Sequence, residues 1–164
     1  MTSRWDLFKA TCFLRFFGWW KIPLLAATRP SVMELDDDHC VVRIKLRRRT
    51  KNHLGSMYVG TLAIGADCAS GLIAASLVRR EKAKVTLAFK SMSATFLKRA
   101  EGDVYFVCEE GARIKALVER TLASEERQNM PVPLRAEVRG PGGPEIVAEF
   151  VMELSLKQST VGTV

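Results

Sequence analysis

Asp67 stands in the middle of a run of small and apolar residues that extends from Tyr58 to Ala75. Wound as a helix, this run is apolar or small on every side, which marks a helix buried all round. A carboxylate there must shed water, at a cost unless something compensates the charge. Its helical neighbours at i−4, i−3, i+3 and i+4 are Ala63, Ile64, Ser70 and Gly71, and none is cationic. A buried acid without a partner on its own helix is a candidate functional group. The competing use is a structural carboxylate satisfied by backbone N–H groups or a facing arginine. The start of the same helix offers a second kind of chemistry. Unpaired N–H groups and the positive end of the helix dipole gather there. Such donors stabilise an oxyanion developing on a docked carbonyl. At 1.5 Å per residue, Asp67 lies roughly 12 Å along the axis from the N–H of Val59. One carbonyl cannot touch both within one chain.

Other reactive side chains are less organised. His39 and His53 are the only histidines, and neither has Cys or carboxylate neighbours at metal-ligand spacing. Cys12, Cys40, Cys68 and Cys108 are widely spread, so the simplest expectation is a reduced, cytoplasmic protein. Cys68 points away from Asp67 on the helix and is expected to pack as a small apolar residue. Nothing matches a phosphate-binding loop or a serine nucleophile elbow.

The elements that must position these groups can be laid out along the chain. Residues 4–20 carry an aromatic helical stripe: Trp5, Phe8, Cys12, Phe13, Phe16, Phe17 and Trp20. Pro23 and Pro30 are expected to bracket an irregular connection. Residues 32–35 and 40–47 read as strands around the acidic turn Asp36-Asp37-Asp38, the second half-buried with a basic outer face. Ser56 is the expected N-cap of the apolar helix, which ends near Arg79 and Arg80. Residues 85–90, 94–97 and 104–108 read as three strands, 112–126 as an amphipathic helix, 132–138 and 146–156 as two more strands. The polar tail begins at Lys157. The expected layout is α+β, a curled, mostly antiparallel sheet wrapped around the long central helix, with an extra amphipathic helix at the N-terminus. The corresponding division is residues 1–30, 31–156 and 157–164.

The segment from Asn52 through Asp67 resembles the hotdog-fold acyl-CoA thioesterases of the phenylacetate-pathway and thioesterase-superfamily-member type. In those proteins an Asn or Gln precedes a His-Gly-Gly turn at the start of the central helix, and a carboxylate follows two turns in. Asn52, Gly60 and Asp67 keep that register. Tyr58 stands at the family's His position and Val59 at its first Gly. The resemblance implies hydrolysis of an acyl-CoA or acyl-carrier thioester. Asp67 would be base or nucleophile, the N–H of Val59, with that of Gly60, the oxyanion site, and Asn52 would orient substrate or water. It implies a homodimer or dimer of dimers, a tetramer, with the site between subunits. The helix start of one chain then faces the carboxylate of the other, which resolves the 12 Å separation along the axis (~12 Å). A Ser or Thr of the strand after the helix would complete the site: Thr86, Ser91 or Ser93. Tyr58 and His53 are candidates for substrate contact. No metal or organic cofactor is implied, coenzyme A entering as part of the substrate. The alternative activity is acyl-CoA binding without turnover, as a carrier or sensor.

The net charge is +7 over 164 residues. Among the basic clusters, Arg79-Arg80 and Lys98-Arg99 are the expected contacts for coenzyme A phosphates, a solvated rim being the competing use. Nucleic acid is disfavoured, because no recognition-helix pattern and no interleaved exposed aromatics accompany the charge. Residues 12–27 are too interrupted, by Arg15, Gly18, Lys21 and Pro23, to give the ~20 clean apolar residues of a membrane span. The aromatic helix is expected to cover the core or line the acyl pocket in preference to lying on a membrane surface.

Overall fold

The computed structural model describes residues 3–159. Two helices, α1 (Arg4–Lys21) and α2 (Pro23–Thr28), precede the strands β1 (Ser31–Leu35) and β2 (Cys40–Ile44). The long helix α3 (Val59–Arg80) leads into β3 (Val85–Phe96) and β4 (Val104–Cys108). Then come α4 (Gly111–Leu122), β5 (Gln128–Gly140) and β6 (Gly143–Gln158). The strands form one antiparallel sheet in the order β1-β2-β4-β5-β6-β3. α3 packs against β2, β3, β4, β5 and β6. One straight helix touches that many strands only if the sheet curls around it, so the layout is the curled α+β arrangement expected from the sequence.

Small residues set how deep α3 lies. Ala66, Ala69, Ile73 and Ala74 are fully buried, opposite Phe106, Val132 and Leu154 of the sheet. At Gly65 a Cβ would fall within the ring of Phe106, so only glycine permits this approach. Gly71 is different: a Cβ there would sit 3.6 Å from the Phe89 ring, an ordinary contact. α3 is long and apolar enough to cross a membrane, but most of it is buried inside the domain, as befits a core helix. Its burial is not complete. Ala63, Ile64, Asp67 and Gly71 are half-buried, and Ala75 is exposed.

Several elements depart from the sequence expectation. The connection after α1 is helical, because Pro23 fits the first turn of a helix and Leu25 anchors α2 in the core. β2 stops at Ile44, earlier than expected. The Leu46 N–H donates to Asp103 at 3.0 Å and the Arg47 N–H donates to Thr50 Oγ1 at 2.8 Å, which draws the chain out of the ladder. β2 is also buried on both faces except at Arg43, since Val41 is covered as fully as Val42. The two strands expected over 85–97 are one, continuous across a bulge between Phe89 and Met92 while β6 runs opposite. Ser56 does not cap α3: Tyr58 is the N-cap and no side chain bonds the helix start. β6 continues through Lys157 and Gln158, so two residues of the expected tail belong to the sheet; residues 160–164 lie outside the described residues.

The tight and loose glycines of α3 make opposite predictions. Gly65→Ala is expected to destabilise the fold by about 1–3 kcal/mol through overpacking. Gly71→Ala is expected to be neutral or stabilising by up to ~1 kcal/mol, the ordinary gain in helix propensity. Urea unfolding of both variants measures the two signs.

Candidate active site

Asp67 opens on a cavity of about 400 Å³. Its walls are apolar: Phe13, Phe17 and Leu25 from the α1–α2 arm, Leu72 from α3, and Leu87 and Phe89 from β3. Among the described residues no hydrogen bond or ion pair reaches the Asp67 carboxyl, and burial alone pushes its pKa up. The structural alternative, a carboxylate satisfied by a facing arginine, is not what the chain builds. Asp67 and Gly65 are two residues apart, about 200° around the helix. Gly65 faces the sheet, so Asp67 faces away from it and is desolvated by the arm and by β3.

The start of α3 is presented by a loop that closes on itself. The Asn52 carboxamide oxygen accepts from the N–H groups of Leu54 at 2.9 Å and Ser56 at 3.2 Å, and its nitrogen donates to Ser56 Oγ at 3.0 Å. This Asx-type turn engages Asn52 within the loop and explains why Ser56 is lost as a cap. Gly55 turns the chain with φ 84°. The loop is pinned where the Met57 N–H donates to Ala100 O and the Tyr58 N–H donates to Thr50 O. Intrahelical bonding begins at Thr61, whose N–H donates to Tyr58 O at 2.9 Å; no acceptor within the described residues takes the N–H groups of Val59 or Gly60. Tyr58 and Val59 are half-exposed, at 54% and 49%. The Tyr58 ring lies against Gly60, where a Cβ would meet it at 2.6 Å.

The remaining candidates separate. Thr86 pairs with Lys157 and Ser93 with Val151, on the face of β3 opposite to Leu87, Phe89 and Ala94, whose partners Leu156, Leu154 and Phe150 are buried. Ser91 lies exposed in the bulge between Phe89 and Met92. His53 is exposed in the loop. Lys98 pairs with Glu145, and Arg99 donates to Leu54 O at 2.6 Å, so both flank the start of α3. Arg79 lies over Phe13, and Arg80 holds Asp37 at 3.1 and 2.5 Å, at the far end of α3. About 30 Å of helix separates the two clusters within one chain. His39 is held between Glu34 at 2.9 Å and Asp36 at 3.0 Å, which raises its pKa and ties the β1–β2 turn.

A second cavity, of about 410 Å³, is lined by Arg15, Arg29, Arg43, Lys45, Arg47, Arg48 and Arg49 with no acidic residue, a grouping that sequence reasoning missed. These cations come from α1, the α2–β1 connection, β2 and the following loop. The signals were the basic outer face of residues 40–47 and Arg15, interrupting an otherwise aromatic stripe.

A buried, unpaired Asp67 has a folded pKa above its unfolded one, so the fold loses stability as pH rises through the window between them. Asp67→Asn removes that cost. The variant is expected to melt higher than the parent at pH 7, with about 2–4 °C for each kcal/mol relieved, and the difference should shrink as pH falls into the carboxylate range. Calorimetry across pH measures it.

Comparison with known proteins matches residues 10–154 to the family described as a domain of unknown function, DUF4442. No curated protein matches. Among solved structures, a Chlorobaculum tepidum protein of unknown function is similar at TM-score 0.78 and 10% identity, with 93% of this chain and 97% of that chain covered. A Pseudomonas aeruginosa protein described as a probable thioesterase is similar at TM-score 0.70 and 23% identity, with 91% and 96% covered. A thioesterase family protein from Silicibacter pomeroyi is similar at TM-score 0.63 and 13% identity, with 91% and 99% covered. At such identities the structural likeness speaks for the fold, which is that of the thioesterase hotdog proteins. The family match spans most of the chain, from within α1 to β6, and this protein therefore belongs to the DUF4442 family.

Proposed function

We propose that the protein hydrolyses acyl thioesters, with acyl-CoA the first substrate to test. The observation that carries this is the Asp67 carboxyl, desolvated and without a partner, at the wall of an apolar cavity. Such a cavity takes an acyl chain. A carboxylate freed of water and of counter-charge is a stronger base, and Asp67 acts on water or on the thioester carbon. The N–H of Val59, with that of Gly60, receives the oxyanion. Any residue but proline supplies that donor, so Val59 in place of glycine preserves it.

The two groups come from different subunits of a homodimer. Their axial separation of roughly 12 Å rules out one carbonyl touching both in one chain. β3 supports such pairing: it is a 12-residue edge strand with Met92 and Phe96 about half exposed, at 48% and 50%. Long apolar edges are covered in stable proteins. In that assembly the helix start, flanked by Lys98, Arg99 and His53, meets the Asp67 cavity of the partner, and coenzyme A phosphates lie against the basic residues. Ser91, in the bulge, is the hydroxyl placed to join them.

Purified protein offered a panel of acyl-CoA esters is expected to release free thiol, read with a thiol reagent. Asp67→Asn should lower kcat by about 10²–10⁴-fold, the usual weight of a general base. Turnover unchanged in Asp67→Asn would refute the mechanism. Tight acyl-CoA binding without thiol release would identify the carrier or sensor instead.

Val59→Pro removes one oxyanion donor at a position where proline suits a helix. Each variant alone should be nearly inactive. Refolded together from equal amounts, they should recover about a quarter of parental activity, because half the dimers then carry one intact site. No recovery would place both groups in one chain's site.

A further inference from the structure

α1 is apolar on both faces. Its inner face, with Leu14 and Gly18 buried, covers the core. On the opposite side Trp5, Phe8, Phe16, Trp19 and Trp20 are each 57–67% exposed. At 100° per residue these five span about 120° of the helix, and nothing among the described residues covers them. Single exposed apolar residues are ordinary, but a contiguous aromatic ridge marks a docking surface.

The basic cavity adjoins that ridge. Arg15 lies about 20° from Phe8 and about 40° from Trp19 on the helical wheel. It reaches the cavity wall, donating from Nε to Pro30 O at 2.9 Å and from its terminal nitrogen to Ser31 Oγ at 2.7 Å. Arg29 stands at the end of α2 in the left-handed conformation, φ 51°. Arg43 has a buried Nε with no hydrogen-bond partner. Seven cations thus line one concavity with no acid among them. Lys9, 61% exposed, stands within the aromatic ridge, and Lys21 ends the helix.

We propose that the α1–α2 arm docks the protein on an anionic lipid bilayer, the aromatic ridge entering the interface while the basic cavity receives lipid phosphates. Trp and Phe favour the depth of the lipid headgroups. Lys9 snorkels outward along its apolar stem. Stable anchoring takes two signals, such as an apolar insertion and a polybasic patch, and the arm joins both. A second copy of the chain fits this face less well. A two-fold contact sets a patch against itself, which would bring Lys9 and the seven-cation cavity of each copy together. Anionic lipid removes that repulsion. The proposal is independent of thioester hydrolysis, and its test uses no activity readout.

All three tryptophans of the chain, Trp5, Trp19 and Trp20, lie on α1, so intrinsic fluorescence reports this helix alone. Vesicles of phosphatidylcholine containing phosphatidylglycerol are expected to shift the emission to the blue and to sediment the protein. Affinity should exceed that for pure phosphatidylcholine by at least about tenfold, and should fall with added salt. Trp19→Ser with Trp20→Ser should abolish sedimentation at unchanged circular dichroism. Arg48→Glu with Arg49→Glu, in an exposed loop, should remove the preference for anionic vesicles while the fold is kept. Equal affinity for the two vesicle types, or none for either, overturns the proposal. So does self-association that Trp19→Ser with Trp20→Ser breaks while vesicles do not compete.

Discussion

The contact between Gly65 and Phe106 sets the distance between α3 and the sheet, and much else follows from that distance. Phe106 is fully buried, paired with Val42 on one side and Ala136 on the other. It cannot swing aside without opening the core. The helix must therefore present hydrogen atoms where the ring is closest and methyl groups around it, which accounts for Gly65, Ala66, Ala69 and Ala74. The bulk of the core then comes from the sheet. Close packing of this kind makes small residues on a helix a structural demand rather than a propensity, and the helix pays for it in intrinsic stability at each glycine.

The same depth decides the fate of Asp67. A helix pressed against the concave face of the sheet turns its other side outward, and Asp67 lies on that side. Left there, the carboxylate would be solvated and ordinary. The α1–α2 arm and β3 close over it, leaving an apolar cavity and no compensating donor. The destabilising group and the cover that makes it destabilising are thus separate parts of the fold. The arm also carries Leu14 and Leu25 of the core, so the cover over Asp67 and the core it closes are held by the same two helices.

The all-round apolar character of the central helix, the alternation within β5 and the isolation of Asp67 were legible in the sequence, because each depends on neighbours a few residues away. What was not legible depended on partners far off in the chain. Ser56 has the composition of a cap, but Asn52 engages it first. Thr86, Ser91 and Ser93 are indistinguishable until the pairing with β6 places two of them on the outer face. The basic cavity joins Arg15 and Arg29, from two separate segments, to the basic run from Arg43 to Arg49. The bulge after Phe89 fuses two apparent strands because β6 opposite them is unbroken. Each case is a tertiary contact overruling a local signal.

The departure at Tyr58 has a limited physical meaning. Its neighbours Val59 and Gly60 contribute backbone donors, which no side-chain replacement except proline removes. In the proposed reaction Asp67 contributes the one side chain whose charge state matters. What a histidine at position 58 would add is an imidazole at the helix start, where this chain puts a phenol ring. Its ring instead lies on Gly60, while Tyr58 and Val59 both stay half-exposed. The Tyr58 ring thus shapes the approach to the first turn by packing, and the N–H groups of Val59 and Gly60 stay open to whatever docks there.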